Sequence, residues 1–286
     1  MTSLSGKLCL ITGAASGLGR STALTAAARR ARLVLTDIDA DGLAETVSLL
    51  RARGAEVLLA EPADVADHAD VLRLAERVHA EVGSMDVVMN VAGVSAWGTV
   101  DRLTHRHWRR MVDVNLMGPV HVIEAFVPPM IDAGGGGHLV NVSSAAGLFG
   151  LPWHAAYSAG KFGLRGVSEV LRFDLRRHGI GVSLVCPGGI DTPLVRTVDI
   201  VGVDREARRT RRAIALFRKH AVSPDKAAQA IVRGVERDKY LIFTSGDIRA
   251  LHLLQRYVPI VYTVLMRALN VAMTRYLDQP RKDARA

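Results

Sequence analysis

Seven short, β-branched apolar runs punctuate this chain, at 8–12, 33–37, 56–60, 87–91, 138–143, 181–186 and 240–244. Runs that are apolar throughout, such as 87–91, suit strands covered on both faces, because alternation disappears when neither face meets water. The segments between them are long enough for crossover helices. Strand–helix alternation of this kind predicts a doubly wound α/β domain, with a seven-stranded, mostly parallel sheet flanked by helices on both faces. Right-handed crossovers then restrict the topology. Local signals agree. Thr104 can cap a helix running to about Val114, and Ser223-Pro224 is a cap followed by proline at the first helical position. Glycines 134–137 form a loop before the fifth strand. No linker or solenoid repeat divides the chain, so one domain is expected over 1–246, with an extension over 247–286.

The turn after the first strand narrows the reading further. It runs Thr12-Gly13-Ala14-Ala15-Ser16-Gly17-Leu18-Gly19 and leads into a helical stretch. Gly13 permits a sharp turn, Gly17 a close approach of backbone to a pyrophosphate, and Gly19 close packing of helix on strand. Ser16, Gly17 and Leu18 stand at the helix start, where free N–H groups and the helix dipole favour phosphate. A Rossmann-type dinucleotide site is the expectation. Asp37 ends the second strand, where a carboxylate can accept from both adenosine ribose hydroxyls and would repel a 2′-phosphate. Ser16, rather than a basic residue, precedes Gly17. Both features favour NAD and disfavour NADP. Asp64-Val65, after the third strand, can meet the adenine ring. The plainer reading of either aspartate is a turn or cap.

Tyr157 and Lys161 are four apart in a predicted helix over 155–177, so they share one face. A phenol of ordinary pKa, about 10, is a poor base at neutral pH. A nearby ammonium lowers it, which is the tuning a general acid/base needs. Other polar residues gather at strand ends. Ser144 follows the fifth strand, Asn90-Val91-Ala92-Gly93 ends the fourth, and Pro187-Gly188-Gly189-Ile190-Asp191-Thr192 follows the sixth. Asn115 lies within a helical stretch where an amide is not an obvious choice.

In order and spacing these motifs resemble the classical short-chain dehydrogenase/reductase family, over roughly 4–244. The resemblance implies that Tyr157 is the acid/base, that Lys161 depresses its pKa and holds the nicotinamide ribose, and that Ser144 hydrogen-bonds the substrate oxygen. It implies that Asn115 positions a water leading from Lys161 to solvent. It places Asn90, Ala92, Gly93, Pro187, Gly188, Ile190 and Thr192 along the cofactor, with Thr192 at the carboxamide. Homodimers or homotetramers are implied as well. The chain departs from the family pattern at Val91, where a second Asn is usual. An epimerase or dehydratase outcome stays open, as do NADP-dependent carbonyl reduction and a non-catalytic, membrane-associated scaffold.

The segments expected around the substrate are apolar. Ser95, Trp97, Phe149, Trp153, His154 and Leu194 are the candidate pocket residues, and they favour a hydrophobic alcohol or ketone over a sugar. A basic segment over about 194–220 takes the place of a substrate loop, either a closing lid or a plain exposed helix. The net charge of +9 is local, with +6 over 205–220 and +4 over 247–286. Two solvated, arginine-rich faces are the plain reading; the sharper one is attraction to acidic lipid or an anionic substrate, ahead of nucleic acid, since no recognition motif accompanies the charge. In the tail, Arg249, Arg256, Arg267 and Arg275 are spaced to share a helix side that Pro259 must interrupt. That segment can lie on a membrane, cover the active site or meet a neighbouring subunit. Its longest charge-free run has ten residues, too few to span. Cys9 and Cys186 lie in apolar runs, and residues 1–7 have no apolar signal core. A reducing, cytoplasmic location is expected, with peripheral contact at the inner membrane face through 247–277. No metal site is expected.

Overall fold

The computed structural model describes residues 3–204 and 206–277. Seven parallel strands form the central sheet: β1 (Leu8–Thr12), β2 (Arg32–Asp37), β3 (Val57–Pro62), β4 (Val87–Asn90), β6 (Gly137–Val142), β7 (Ile180–Cys186) and β9 (Leu241–Phe243). Their order is β3-β2-β1-β4-β6-β7-β9. All seven expected strands are present, β1 at its expected bounds and the others with ends displaced by one or two residues. The order reverses between β1 and β4, so a crevice opens there at the carboxyl edge.

Alternate residues of each central strand feed opposite cores, which explains the unbroken apolar runs. Cys9, Ile11, Leu33, Leu35, Val87 and Met89 face one layer, formed by α1 (Gly17–Ala27), α2 (Ala40–Arg51) and α9 (Pro224–Glu236). Leu10, Val34 and Val88 face the other, formed by α3 (His68–Glu81) and α5 (Gly118–Ala133) with the end of α6 (Ala155–Asp174). Ser223 caps α9 as expected, accepting from the Lys226 N–H. Thr104 caps α4 (His105–Val112), with the His107 ring answering the Thr104 N–H.

Three features differ from the sequence reading. The helix after Thr104 widens into a π-turn, Asp113–Met117, before continuing as α5. The helix expected over 155–177 tightens into a 3₁₀ turn at Leu175–His178. A small second sheet pairs β5 (Ala96–Trp97) with β8 (Asp199–Ile200), just after α7 (Pro193–Thr197). The basic segment that follows is an ordered helix, α8 (Arg208–His220). The tail forms α10 (Gly246–Tyr257) and α11 (Pro259–Leu277), broken at Val258 because proline supplies no N–H for the preceding turn. That break splits the arginine strip into two pairs. One helical stretch among the described residues, His105–Ala133, is long and apolar enough to cross a membrane. Its Val122, Phe126 and Met130 are buried in the core beneath the sheet.

Candidate active site

The crevice at the carboxyl edge is a cavity of about 1200 Å³. That exceeds the usual range for one small ligand, about 300–1000 Å³, and leaves room for a dinucleotide and a substrate together.

At one end the glycine turn forms a cradle that side chains would fill. Gly13 and Gly17 have φ of +70° and +51°, in the left-handed region glycine tolerates. A Cβ at Gly13 would lie 2.8 Å from the Ala92 backbone, and one at Gly19 would run into the Gly13 carbonyl oxygen. Only glycine lets the turn, α1 and β4 converge. Ser16, Leu18 and Gly19 line the cavity where α1 begins, with its first N–H groups available to phosphate. Asp37 also lines it. Its carboxylate accepts from the Ala15 N–H at 2.9 Å and the Asp39 N–H at 3.0 Å. The turn role and the ribose role therefore coexist, since a carboxylate has lone pairs to spare. Asp64 accepts from the Ala66 N–H, a turn geometry, and lines the cavity with Val65. These residues suit a dinucleotide.

At the other end the reacting groups converge. Tyr157 and Lys161 share one face of α6, with Nζ 5.9 Å from the phenol ring centre. Lys161 is buried and donates to the Val142 carbonyl at 2.9 Å. Burial lowers its pKa to about 8. Burial raises that of Tyr157 above its ordinary value, opposed by a hydrogen bond with the Ser144 hydroxyl. The expected depression of the phenol by Lys161 is thus absent in the protein alone. Dehydration outweighs the Ser144 hydrogen bond, while the ammonium is held nearly 6 Å from the ring and turned toward a carbonyl. The Ser144 hydroxyl also accepts from the Ala146 N–H at 3.1 Å. Ser143 instead ties the end of β6 to α6 by donating to the Lys161 carbonyl.

Asn115 sits in the π-turn, fully buried. Its amide brackets Val94, accepting from the Val94 N–H at 3.1 Å and donating to the Val94 carbonyl at 3.0 Å. This explains an amide within a helix: it fixes the loop after β4 beside Lys161. A Cβ at Gly93 would lie 3.0 Å from Asn115 Oδ1 and 3.4 Å from Lys161 Nζ, so the three meet there. Ala92, Gly93, Pro187, Gly188, Ile190 and Thr192 all line the cavity. Asn90 does not. It lies behind the wall and donates to Asn141 Oδ1 at 2.9 Å, because its side chain points into the sheet-end core rather than the crevice. Its part is strand support.

Of the expected pocket residues, Ser95, Trp97, Phe149, His154 and Leu194 line the cavity. Trp153 does not. Its φ of +66° turns it away, and it packs with Val198 and Ile200 behind the small sheet. The same turn brings His154 inward, where it stacks on Trp97 at 4.6 Å and lies 6.2 Å from the Tyr157 ring. Its Nδ1 donates to the Pro152 carbonyl at 2.6 Å, and burial lowers its pKa, so the ring is neutral at pH 7. Covering the active site is one of three readings of the tail, and the sequence alone does not name the individual roof residues. Phe217 of α8, Ile248 and Leu251 of α10, and Leu269 and Met273 of α11 also line the cavity. The spacing of Tyr262, Met266, Leu269 and Met273 is the helical signal that marks this face. Tyr262 pins it by donating to the Gly150 carbonyl at 2.9 Å. Arg218 holds α8 to the loop after β7 through two bonds to Asp191.

A doubly wound sheet with this glycine cradle and this Ser-Tyr-Lys wall defines a nucleotide-dependent oxidoreductase. The short chain dehydrogenase family matches residues 7–200, and the chain belongs to it. The putative oxidoreductase SadH of Mycobacterium tuberculosis is 39% identical over 270 residues, covering 94% of this chain and 96% of that protein. A 1-deoxy-11-beta-hydroxypentalenate dehydrogenase of Streptomyces avermitilis is 36% identical, covering 83% and 84%. Among solved structures, a short chain dehydrogenase/reductase of Burkholderia phymatum in complex with NAD aligns with a TM-score of 0.81 at 31% identity, covering 91% and 96%.

Proposed function

We propose that this enzyme uses NAD to interconvert a hydrophobic secondary alcohol and its ketone, with Tyr157 as general acid/base. The observation that carries the reading is the convergence of Ser144, Tyr157 and Lys161 on one wall of a largely apolar cavity whose far end is the glycine cradle. The cofactor, when bound, supplies or accepts the hydride. The chain's own residues manage the proton. In reduction the Tyr157 hydroxyl donates to the substrate oxygen, and the Ser144 hydroxyl donates a hydrogen bond to the same oxygen as its charge develops. In oxidation the proton returns to the phenol oxygen. Lys161 steadies charge beside it, and Asn115 holds a water that leads from Lys161 toward solvent. Thr192 and the Ile190 backbone orient the carboxamide end.

Asp37 supports NAD over NADP, since a 2′-phosphate would meet its carboxylate. The similar Burkholderia structure holds NAD, and a Mycobacterium tuberculosis relative, 37% identical over 206 residues, bears the name NAD-dependent oxidoreductase. Trp97, Phe149, Leu194 and Phe217 support an apolar substrate, and the Streptomyces relative is named for a hydroxypentalenate. The enzyme is expected to work as a homodimer or homotetramer in the cytoplasm. Its two buried thiols, raised to about 12 by burial, suit a reducing compartment.

The test is transfer of deuterium from labelled NADH to a panel of lipophilic ketones. Tyr157→Phe is expected to cut turnover by about 10²–10⁴ while NAD affinity is retained. Full activity in that variant would remove the role assigned to the phenol. Asp37→Ala is expected to erode the preference for NAD, and an unchanged preference would defeat the cofactor argument.

A further inference from the structure

Helix α11 has two apolar faces, and only one is covered. Tyr262, Met266 and Met273 face inward, and Met273 with Leu269 forms part of the cavity roof. On the opposite side Ile260, Val261, Val264 and Val271 are exposed, Ile260 by 79% and Val264 by 60%. At 100° per residue these four fall within one arc of the helix. Thr263, Asn270 and Thr274 make a narrow polar strip between the two faces. Tyr257 and Val258, at the turn from α10, extend the exposed apolar surface. Apolar side chains gathered this way on a soluble surface mark a contact.

Charge identifies the partner. From Ile248 to Leu277 the chain has Arg249, Arg256, Arg267 and Arg275 and no acidic residue. Helix α8 packs beside α11 and carries Arg208, Arg209, Arg212 and Lys219, also with no acidic residue between them. A two-fold contact with a second copy would set this positive surface against itself. An anionic lipid surface meets both demands, taking the apolar side chains among its acyl chains and the arginines at its headgroups.

We propose that the outer face of α11 lies on an anionic lipid surface, and that the lipophilic substrates proposed above enter the cavity from that surface past the same helix. The binding half rests on the exposed face of α11 and the basic residues of α8, α10 and α11. The delivery half rests on the alcohol–ketone reading.

The test uses the full chain and vesicles of phosphatidylcholine, with or without phosphatidylglycerol. Without cofactor or substrate, cosedimentation with the anionic vesicles is expected to be at least tenfold stronger than with phosphatidylcholine alone. It should weaken at about 0.5 M salt, where charges are screened beyond a few ångströms. The triple variant I260S/V264S/V271S is expected to lose at least tenfold in partitioning, and Arg267→Gln roughly fivefold. These side chains are exposed, so NAD affinity serves as the control for folding. No vesicle binding, or equal binding by the triple variant, overturns the proposal. So does a wild-type oligomer in lipid-free solution that the triple variant dissociates, since a second copy would then cover the face. For delivery, the triple variant should raise KM for a long-chain ketone presented in vesicles and leave KM for a short soluble ketone unchanged. Equal effects on both overturn that half. If no ketone turns over, the functional reading fails while the vesicle measurements still decide the lipid surface.

Discussion

Replacing Lys161 by Met tests the electrostatics of the site without using activity as the readout. The ammonium is buried, and its pKa falls from 10.5 to about 8 because burial penalises the charged form. Below pH 8 lysine is protonated in both folded and unfolded chains, and the folded chain bears the dehydration cost. Between 8 and 10.5 the folded chain has released the proton that the unfolded chain still holds, so stability rises with pH. Above 10.5 both forms are neutral and the cost is gone. The gap from 10.5 to about 8 is worth about 3 kcal/mol. Methionine has a similar unbranched shape and carries no charge. It also removes the bond to the Val142 carbonyl, worth about 1 kcal/mol. Lys161→Met is therefore expected to be more stable than the wild type by about 2 kcal/mol at pH 7 and less stable by about 1 kcal/mol above pH 10.5. Urea unfolding of both proteins at several pH values measures this, and taking the difference cancels every other titrating group. A difference that stays constant from pH 7 to 10.5 would refute the assignment. The variant is expected to be inactive throughout, a stabilised enzyme without its chemistry.

Two further predictions concern the frame around the site. His138 is fully buried in β6, bonded to the Ser183 hydroxyl, and burial lowers its pKa to about 4 despite Asp238 nearby. The unfolded chain takes up a proton at about 6.5 and the folded chain only near 4, so about 3 kcal/mol of stability present above 6.5 is lost as the pH falls through that window. His138→Gln should flatten the decline between pH 6.5 and 4 in denaturant titrations, and a profile parallel to the wild type would contradict the account. Gly19→Ala places a Cβ against the Gly13 carbonyl. It is expected to cost about 1–3 kcal/mol and to weaken NAD binding more than tenfold by calorimetry, whereas wild-type affinity would mean the cradle is looser than its geometry.

The fold was legible because the sheet is covered on both sides. Burial of both faces writes unbroken apolar runs such as that of β4, and the glycine turn has one backbone path that α1 can follow. The Tyr157–Lys161 spacing fixed a shared face, and the strand ends placed Ser144 and Thr192 at the same edge. Legibility failed where side-chain direction depends on a single backbone angle. Trp153 and His154 are adjacent, and the left-handed φ at Trp153 sends one behind the small sheet and the other into the cavity. A lone sequence does not announce a non-glycine residue in that region. Asn90 turned away for a similar reason, since alternation along β4 decides which side of the sheet end it meets. The roof was half legible. The period of Tyr262, Met266, Leu269 and Met273 marks a partly covered face without naming what it covers.

One cause, exclusion of water, links the roof to the chemistry. The same dehydration that lowers Lys161 raises Tyr157, so in the protein alone the proton rests on the phenol. That is the form able to donate to a ketone. With Tyr157 as the acid/base proposed above, reduction should therefore be fast at neutral pH and decline only as the phenol ionises, whereas alcohol oxidation would need the phenolate and should climb with pH. Initial rates in both directions from pH 6 to 9, at saturating cofactor, measure this. Phe217 of α8, Leu251 of α10 and Met273 of α11 set apolar side chains along the pocket. Polar substitution of Leu251 would admit water, weaken the dehydration and bring the rise in oxidation to lower pH. An oxidation rate flat across that range in the wild type would mean that the phenol is already ionised at pH 6 and that burial does not govern its proton.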